Sequence, residues 1–273
     1  MKTPPQQRAV GYVVLIVAAA VATVPLLGVV LMSLGSPSEI GGSVSIGTLH
    51  FDNFGAVWKL GQLPKGLLTS FLISTSATLL TVLLSVPAGY ALASFRFRFR
   101  TALFVLLVAG LMLPNESLII PLFFDLRSVG LGDKVIGVIL VETALSLAFG
   151  TFWMRAFFLD APSGLVEAAR LDGANSFVIL TRVLVPLATP QVLALVVLVF
   201  VWTWNDLLVP LVLLSGGRTA TAPMALAIFQ GQHATNYAYL SAAAILTALP
   251  VVVVYVALQR SFSRGIMSGA IRE

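Results

Sequence analysis

Glu116, Glu142 and Asp206 are the side chains of this sequence best suited to chemistry, because each lies within an apolar run long enough to cross a bilayer. Counting about 1.5 Å of rise per residue, Glu116 and Asp206 fall roughly 22–24 Å from one end of their runs, and Glu142 roughly 10 Å from the opposite end of its own. That places all three in one layer. Acidic groups at such depth are expensive in lipid and face a bundle interior or an aqueous cavity. Their neighbours are Asn115 beside Glu116, and Trp202, Trp204 and Asn205 beside Asp206. Indole faces stack on sugar rings while amide and carboxylate oxygens accept hydroxyl protons, so the set suits a polyol. The same residues could instead join helices through interhelical hydrogen bonds, or carry protons.

Other chemistry is scarce. There is no Cys, and the two His, His50 and His233, are far apart, so no metal site is expected. No GxxxxGK[ST] phosphate loop occurs, so hydrolysis of ATP in that manner must belong to another subunit. Gly130-Leu131-Gly132-Asp133 looks like the GxGD element of intramembrane aspartyl proteases, but that chemistry needs a second Asp facing it from a neighbouring helix. Asp133 sits instead in a polar turn with Asp125, Arg127 and Lys134. No nucleophile and base pair stands out, and neither a catalytic residue nor a cofactor of this chain is expected.

The elements that must position the acidic layer follow from composition. With 58% hydrophobic and 10% charged residues and a mean hydropathy of +1.00, the sequence belongs to the all-α polytopic membrane class. Six spans able to cross a core of about 30 Å are expected near residues 11–34, 67–92, 101–122, 135–159, 190–214 and 239–258. Placing both termini in the cytoplasm puts Lys2, Arg8, Arg96, Arg98, Arg100, Arg170, Arg182, Arg260, Arg264 and Arg272 inside, leaving Lys59, Lys65, Arg127, Lys134 and Arg218 outside. The net charge of +5 therefore reads as topology rather than nucleic-acid binding. The first apolar run continues past Ala20-Val21-Ala22 to Leu31, too long for a signal peptide, so an uncleaved helix is expected. The spans read as one domain. A short surface helix is expected near Asn53 to Leu60, and the loop 215–238, with Gln230, His233, Asn236 and Tyr237, is expected to fold partly back towards the pathway.

Between the fourth and fifth runs lies a polar insert, about 160–189. Pro162 disfavours helix at Ala161, so the fourth span should stop near Asp160. A short helix through Glu167, Ala168, Ala169, Arg170 and Asp172 should follow, with Leu165, Ala168, Ala169 and Asp172 along one stripe. Gly173 can adopt the left-handed conformation that ends it, and Asn175 can cap a second helix through Phe177, Ile179 and Arg182. Helix, glycine turn and helix make a compact knob.

The spacing of Glu167-Ala168-Ala169, Gly173 and Val183-Leu184-Val185-Pro186 resembles the EAA signature of the permease subunits of binding-protein-dependent ABC importers, with Val183 and Val185 replacing Ile and Leu. Asn53-Phe54, Tyr90 to Phe97, Met112-Leu113-Pro114, Ile120-Pro121-Leu122, Trp204-Asn205-Asp206 and the Gly265 to Gly269 tail look like the maltose-type carbohydrate permeases, specifically the six-helix partner. The resemblance implies a type I importer permease fold in a prokaryotic cytoplasmic membrane. It also implies a second, different permease subunit, two copies of a cytoplasmic ATPase that bind ATP and Mg, and an extracytoplasmic solute-binding protein. Glu167, Ala168, Ala169, Arg170, Asp172, Gly173 and Pro186 would couple to the ATPase. Asn115, Glu116, Glu142, Trp202, Trp204, Asn205 and Asp206 would line the pathway, and Gln230, His233, Asn236 and Tyr237 would meet the binding protein. A phosphorylated polyol remains an alternative cargo, and a proton-coupled secondary transporter an alternative class.

The segment 259–273 carries Arg260, Arg264 and Arg272 with Gly265 and Gly269, too polar for lipid, and is expected to lie against the ATPase dimer. Deleting residues 265–273 should impair transport or its coupling while the membrane helices still assemble. Full activity of the truncated complex would show the tail to be dispensable.

Overall fold

The computed structural model describes residues 5–36, 49–60, 62–227, 229 and 236–270, and all the regular structure among them is helical. The order is α1 (Pro5–Ser33), α2 (Asp52–Leu60), α3 (Leu63–Ser94), α4 (Arg100–Leu111), α5 (Asn115–Ser128), α6 (Val135–Asp160) and α7 (Ser163–Leu171). A single turn α8 (Ser176–Val178), a π-helical stretch Ile179–Leu184, α9 (Val185–Leu187), α10 (Thr189–Asn205), α11 (Leu208–Leu213), α12 (Ala222–Ala227) and α13 (Tyr237–Ala270) complete it. Gly11–Ser33, Leu63–Ser94, Val135–Asp160 and Tyr237–Gln259 are long and apolar enough to cross a membrane. Among the described residues the number of crossings reaches six if two bent helix pairs each count as one.

Those bends alter two expected spans. The run expected as one span over 101–122 is two helices, α4 and α5, meeting at 101°. Pro114 is extended (φ −65, ψ 123), and a proline excludes the helical region for the residue before it, so α4 ends at Leu111. The run expected over 190–214 is broken after Asn205, where Asp206 is extended (φ −68, ψ 122), and resumes as α11 at Leu208. At its other end, Ser176–Leu187 meets Thr189–Asn205 at 77°. The segment expected as a separate tail from 259 instead continues α13 to Ala270, and residues 271–273 lie outside the described residues.

The chain divides into two compact units, one of residues up to Pro64 with Ala225–Leu249, the other of Lys65–Met224 with Pro250–Glu273. In the first, the apolar stretch of α1 buries none of its residues, leaving a greasy cylinder for lipid or a partner. Its C-terminal carbonyls are capped from α2: Asn53 Nδ2 donates to Ser33 O at 2.9 Å and to Gly35 O at 3.0 Å. A helix end leaves such carbonyls without intrahelical donors, which explains why Asn53 is buried.

In the second unit, α3 and α6 approach through small residues. A Cβ on Gly89 would stand 2.8 Å from both Met154 Cβ and Arg155 N, and one on Gly150 would stand 2.9 Å from Ser85 Cβ. Without a hydrophobic drive between helices in lipid, such close packing of small residues holds them together, and Ser74, Thr78, Thr81 and Ser85 form a buried stripe along α3. Two apolar cores flank this crossing. One gathers Val86, Tyr90, Met154, Phe158, Leu195 and Val199, and the other Ile73, Ile119, Val138, Val141 and Val209. Gly89→Val should therefore lower stability by about 1–3 kcal/mol through overpacking, read as a drop in the thermal midpoint of the purified protein. Gly110→Ala, which meets open space, should leave it unchanged.

Candidate functional site

Inside the second unit lies a cavity of about 610 Å³, walled by Asn115 and Leu118 of α5, by Glu142, Ser146 and Phe149 of α6, and by Trp202 and Asp206. The break after α10 shapes it. Asp206 Oδ1 accepts the N–H groups of Leu208 at 2.8 Å and Val209 at 3.2 Å, capping α11 from the first residue beyond α10. Unpaired N–H groups at a helix start need such an acceptor, and the cap is what lets the apolar run stop at Asn205. Glu142 is 4% exposed, and the side chains of Asp206 and Thr203 face its carboxyl. Glu142 Oε1 and Thr203 Oγ1 are buried without a hydrogen-bond partner. Glu142 thus has unused hydrogen-bonding capacity beside open space.

The expected pathway residues divide. Asn115, Glu142, Trp202 and Asp206 line one cavity. Glu116 does not: it is exposed on the first turn of α5 and is absent from the cavity wall. Trp204 does not either. It is 1% exposed and stacks on Phe200 with centroids 5.6 Å apart, packed with Ala222. Asn205 turns its amide back to Val201 O at 2.8 Å and is absent from the cavity wall. Trp202 is the available indole, 48% exposed, with Phe149 edge-on to it at 4.8 Å. Phe149 was missed in the sequence. Its spacing of seven from Glu142, with Ser146 between, is the signal that puts all three on one face of α6.

Of the residues expected to meet a binding protein, Gln230 and His233 lie outside the described residues. Asn236 accepts the Tyr239 N–H at 3.0 Å, capping α13, and Tyr237 is exposed at its first turn.

The insert after α6 forms the expected knob. Ala161 is extended (φ −63, ψ 140), α7 follows Pro162, and Gly173 takes φ +81. Ala174 N donates to Ala169 O at 2.9 Å across that turn. Asn175 Oδ1 then accepts the Val178 N–H at 2.9 Å, starting α8. Of the expected stripe on α7 only Ala169 packs against the core, together with Val166 from outside that stripe, whereas Leu165, Ala168 and Asp172 are exposed. Beyond α8, Ile179, Leu180 and Leu184 bury themselves among Tyr90, Met154, Phe158, Leu195 and Val199. The π-helical stretch carrying them ends just before Pro186, which has no N–H to close an α turn. The outer face keeps Glu167, Arg170 and Leu171 free, Leu171 being 90% exposed.

With Cys absent from the natural chain, single cysteines report exposure directly. Trp202→Cys and Asn115→Cys should react with a small aqueous thiol reagent, while Trp204→Cys should stay inert. Equal reactivity at 202 and 204 would contradict the division of the two tryptophans.

Residues 85–268 match the family described as binding-protein-dependent transport system inner membrane component. The chain is 30% identical to an osmoprotective compounds uptake permease of Synechocystis sp., over 99% of this chain and 94% of the relative. It is 31% identical to a diacetylchitobiose uptake permease of Streptomyces coelicolor, over 97% and 89%. Against a trehalose transport permease of Mycobacterium tuberculosis it is 33% identical, over 92% and 93%. In fold it resembles a chain of a bacterial ABC transporter that imports the acidic polysaccharide alginate, with a TM-score of 0.71 and 23% identity over 96% of this chain and 99% of that one. The knob, the apolar helices and these full-length likenesses lead to one conclusion: the chain belongs to the inner-membrane components of binding-protein-dependent transport systems, the multi-pass permease subunits of ABC importers.

Proposed function

We propose that this permease passes a carbohydrate or a related neutral polyol through the cavity between α5, α6 and α10, driven by an ATPase that grips the knob. The observation that carries the reading is the way Ile179, Leu180 and Leu184 root the knob in the same core as α6 and α10, the two helices that also supply Glu142, Phe149 and Trp202 to the cavity. A pull on α7 is delivered to the cavity wall through packed side chains, which are stiff. An aromatic face beside carboxyl and amide oxygens is what a sugar ring needs, with stacking on one side and hydroxyl hydrogen bonds on the other. Relatives named for diacetylchitobiose and trehalose uptake support that cargo.

In this reading two copies of the ATPase bind ATP and Mg, and this chain performs no covalent step. A second, different permease subunit completes the pathway, and α1, exposed along its apolar stretch, offers one surface for it. The knob and both termini face the cytoplasm. Transport is a two-state equilibrium biased by the loaded binding protein outside and by nucleotide inside. Glu167, Ala168, Arg170, Asp172 and Leu171 meet the ATPase, while Ala169, Gly173 and Pro186 set the angle at which they do so.

The test is ATP-dependent uptake by the assembled complex in proteoliposomes. A β-branched residue held in the left-handed region costs about 1–3 kcal/mol, so Gly173→Val should tilt or melt the knob, and Glu167→Lys should replace attraction by repulsion at the contact. Each variant should lower uptake to background, either by losing the ATPase or by uncoupling its hydrolysis, with the protein still inserted. Wild-type uptake should persist when the proton gradient is collapsed and ATP is kept high. Normal ATPase retention and normal rates in both variants would overturn the coupling role.

A further inference from the structure

Between α3 and α4 the chain reads Phe95-Arg96-Phe97-Arg98-Phe99-Arg100. Phe97 and Phe99 are exposed, Phe99 by 63%, and Arg96 and Arg98 are exposed beside them. Among the described residues no carboxylate pairs with Arg96, Arg98 or Arg100. Arg98 lies over the Phe99 ring at 5.6 Å. A fourth cation, Arg155 of α6, is fixed close by: its guanidinium sits 3.8 Å from the Phe104 ring centroid, its Nε donates to Leu92 O at 3.4 Å, and Arg100 is the charge that repels it. The patch thus gathers positive charge that the protein itself does not neutralise.

The surroundings state what kind of anion fits. Tyr90 packs edge-on to both Phe95 at 5.6 Å and Phe158 at 5.7 Å, which places the segment at the end of α3 and α6 from which the knob emerges. It is therefore at the border of the membrane, where aromatic rings sit at headgroup level. From Arg100 the surface continues onto α4, which has no buried residue and exposes Leu103, Val105 and Leu106. Cations at a border, with an apolar helix face running away from them, match the two ends of a lipid molecule. A soluble protein partner would cover the arginines but would not satisfy Phe97, Phe99 and the face of α4 together.

We propose that Arg98 and Arg100, backed by Arg96 and Arg155, bind the phosphate of an anionic lipid, with Phe97 and Phe99 in the headgroup boundary and the acyl chains along α4. The lipid belongs to the cytoplasmic leaflet, and only that choice rests on the topology proposed above. The retention experiment needs neither cargo nor nucleotide, so its failure is separable from failure of the transport reading.

The test is native mass spectrometry of the whole complex, purified in detergent and supplied with phosphatidylglycerol or, separately, phosphatidylcholine. Each basic group near an anionic membrane is worth about fivefold in affinity, so Arg98→Gln/Arg100→Gln should retain phosphatidylglycerol roughly 30-fold less tightly, with phosphatidylcholine unaffected. Arg98→Lys/Arg100→Lys, which keeps the charge that orients the chain, should retain most of the binding. Arg127→Gln, a charge removed elsewhere, should leave it unchanged. Equal phosphatidylglycerol retention by the wild type and the Gln variant would overturn the proposal. So would loss of the ATPase from the Gln variant with lipid retention intact, which would make the patch a protein contact, or retention of inorganic phosphate in place of lipid.

Discussion

A helix that breaks at membrane depth frees backbone N–H and C=O groups that lipid cannot satisfy, each at a cost of several kcal/mol. In this chain the break after α10 is met by one carboxylate. Asp206 accepts both Leu208 N and Val209 N, and because it does, the apolar run can end at Asn205, turn, and start again as α11. The same carboxylate then stands in the cavity wall facing Glu142. A structural cap and a polar lining group are one residue, which is why a charged side chain is tolerated at that depth. The break also sets Trp202 on the cavity side one turn before the stop.

Rigidity at the other end of α10 comes from burial rather than hydrogen bonding. Ile179, Leu180 and Leu184 would be exposed in an ordinary interhelical loop; here they are core residues packed on Met154, Phe158, Leu195 and Val199. Trp153 adds a polar tie from α6, its Nε1 donating to Gln191 O at 3.1 Å. The knob cannot swing independently of α6 and α10, since close-packed side chains rearrange between discrete arrangements rather than deform smoothly. Its outer face exposes Leu165, Leu171 and Phe177 beside Glu167, Arg170 and Asp172.

Close approach of α3 and α6 supports both ends. Gly89 and Gly150 leave no room for a side chain, and the hydroxyls of Ser85 and Thr81 lie in that seam. A wider crossing would separate Val86 and Tyr90 from Met154 and Phe158, and with them the seat into which the knob is rooted. Packing of small residues, the aromatic contacts of Tyr90 and the π-helical stretch before Pro186 therefore act as one mechanical unit.

Local features of the knob were legible in the sequence because they act through their own backbone. Pro162 stops α6 at Asp160, Gly173 takes the left-handed turn and Asn175 caps α8, each within three or four residues of the group it governs. The apolar runs, too, were determined by composition alone, since crossing a bilayer demands length and hydrophobicity before any packing. Which side chains share the cavity was not. Trp202 and Trp204 are two residues apart in one helix and point to nearly opposite sides; only the seating of α10 against Phe149 of α6 on one side and Ala222 on the other decides that the first faces the cavity and the second the core. Pro114 announces a break but not its angle, and the 101° between α4 and α5 is set by what each helix packs against, so that Asn115 rather than Glu116 stands in the cavity wall. Sequence determined where the chain must bend and cross; tertiary structure decided which faces meet, because a helix face acquires an inside only when a neighbour covers it.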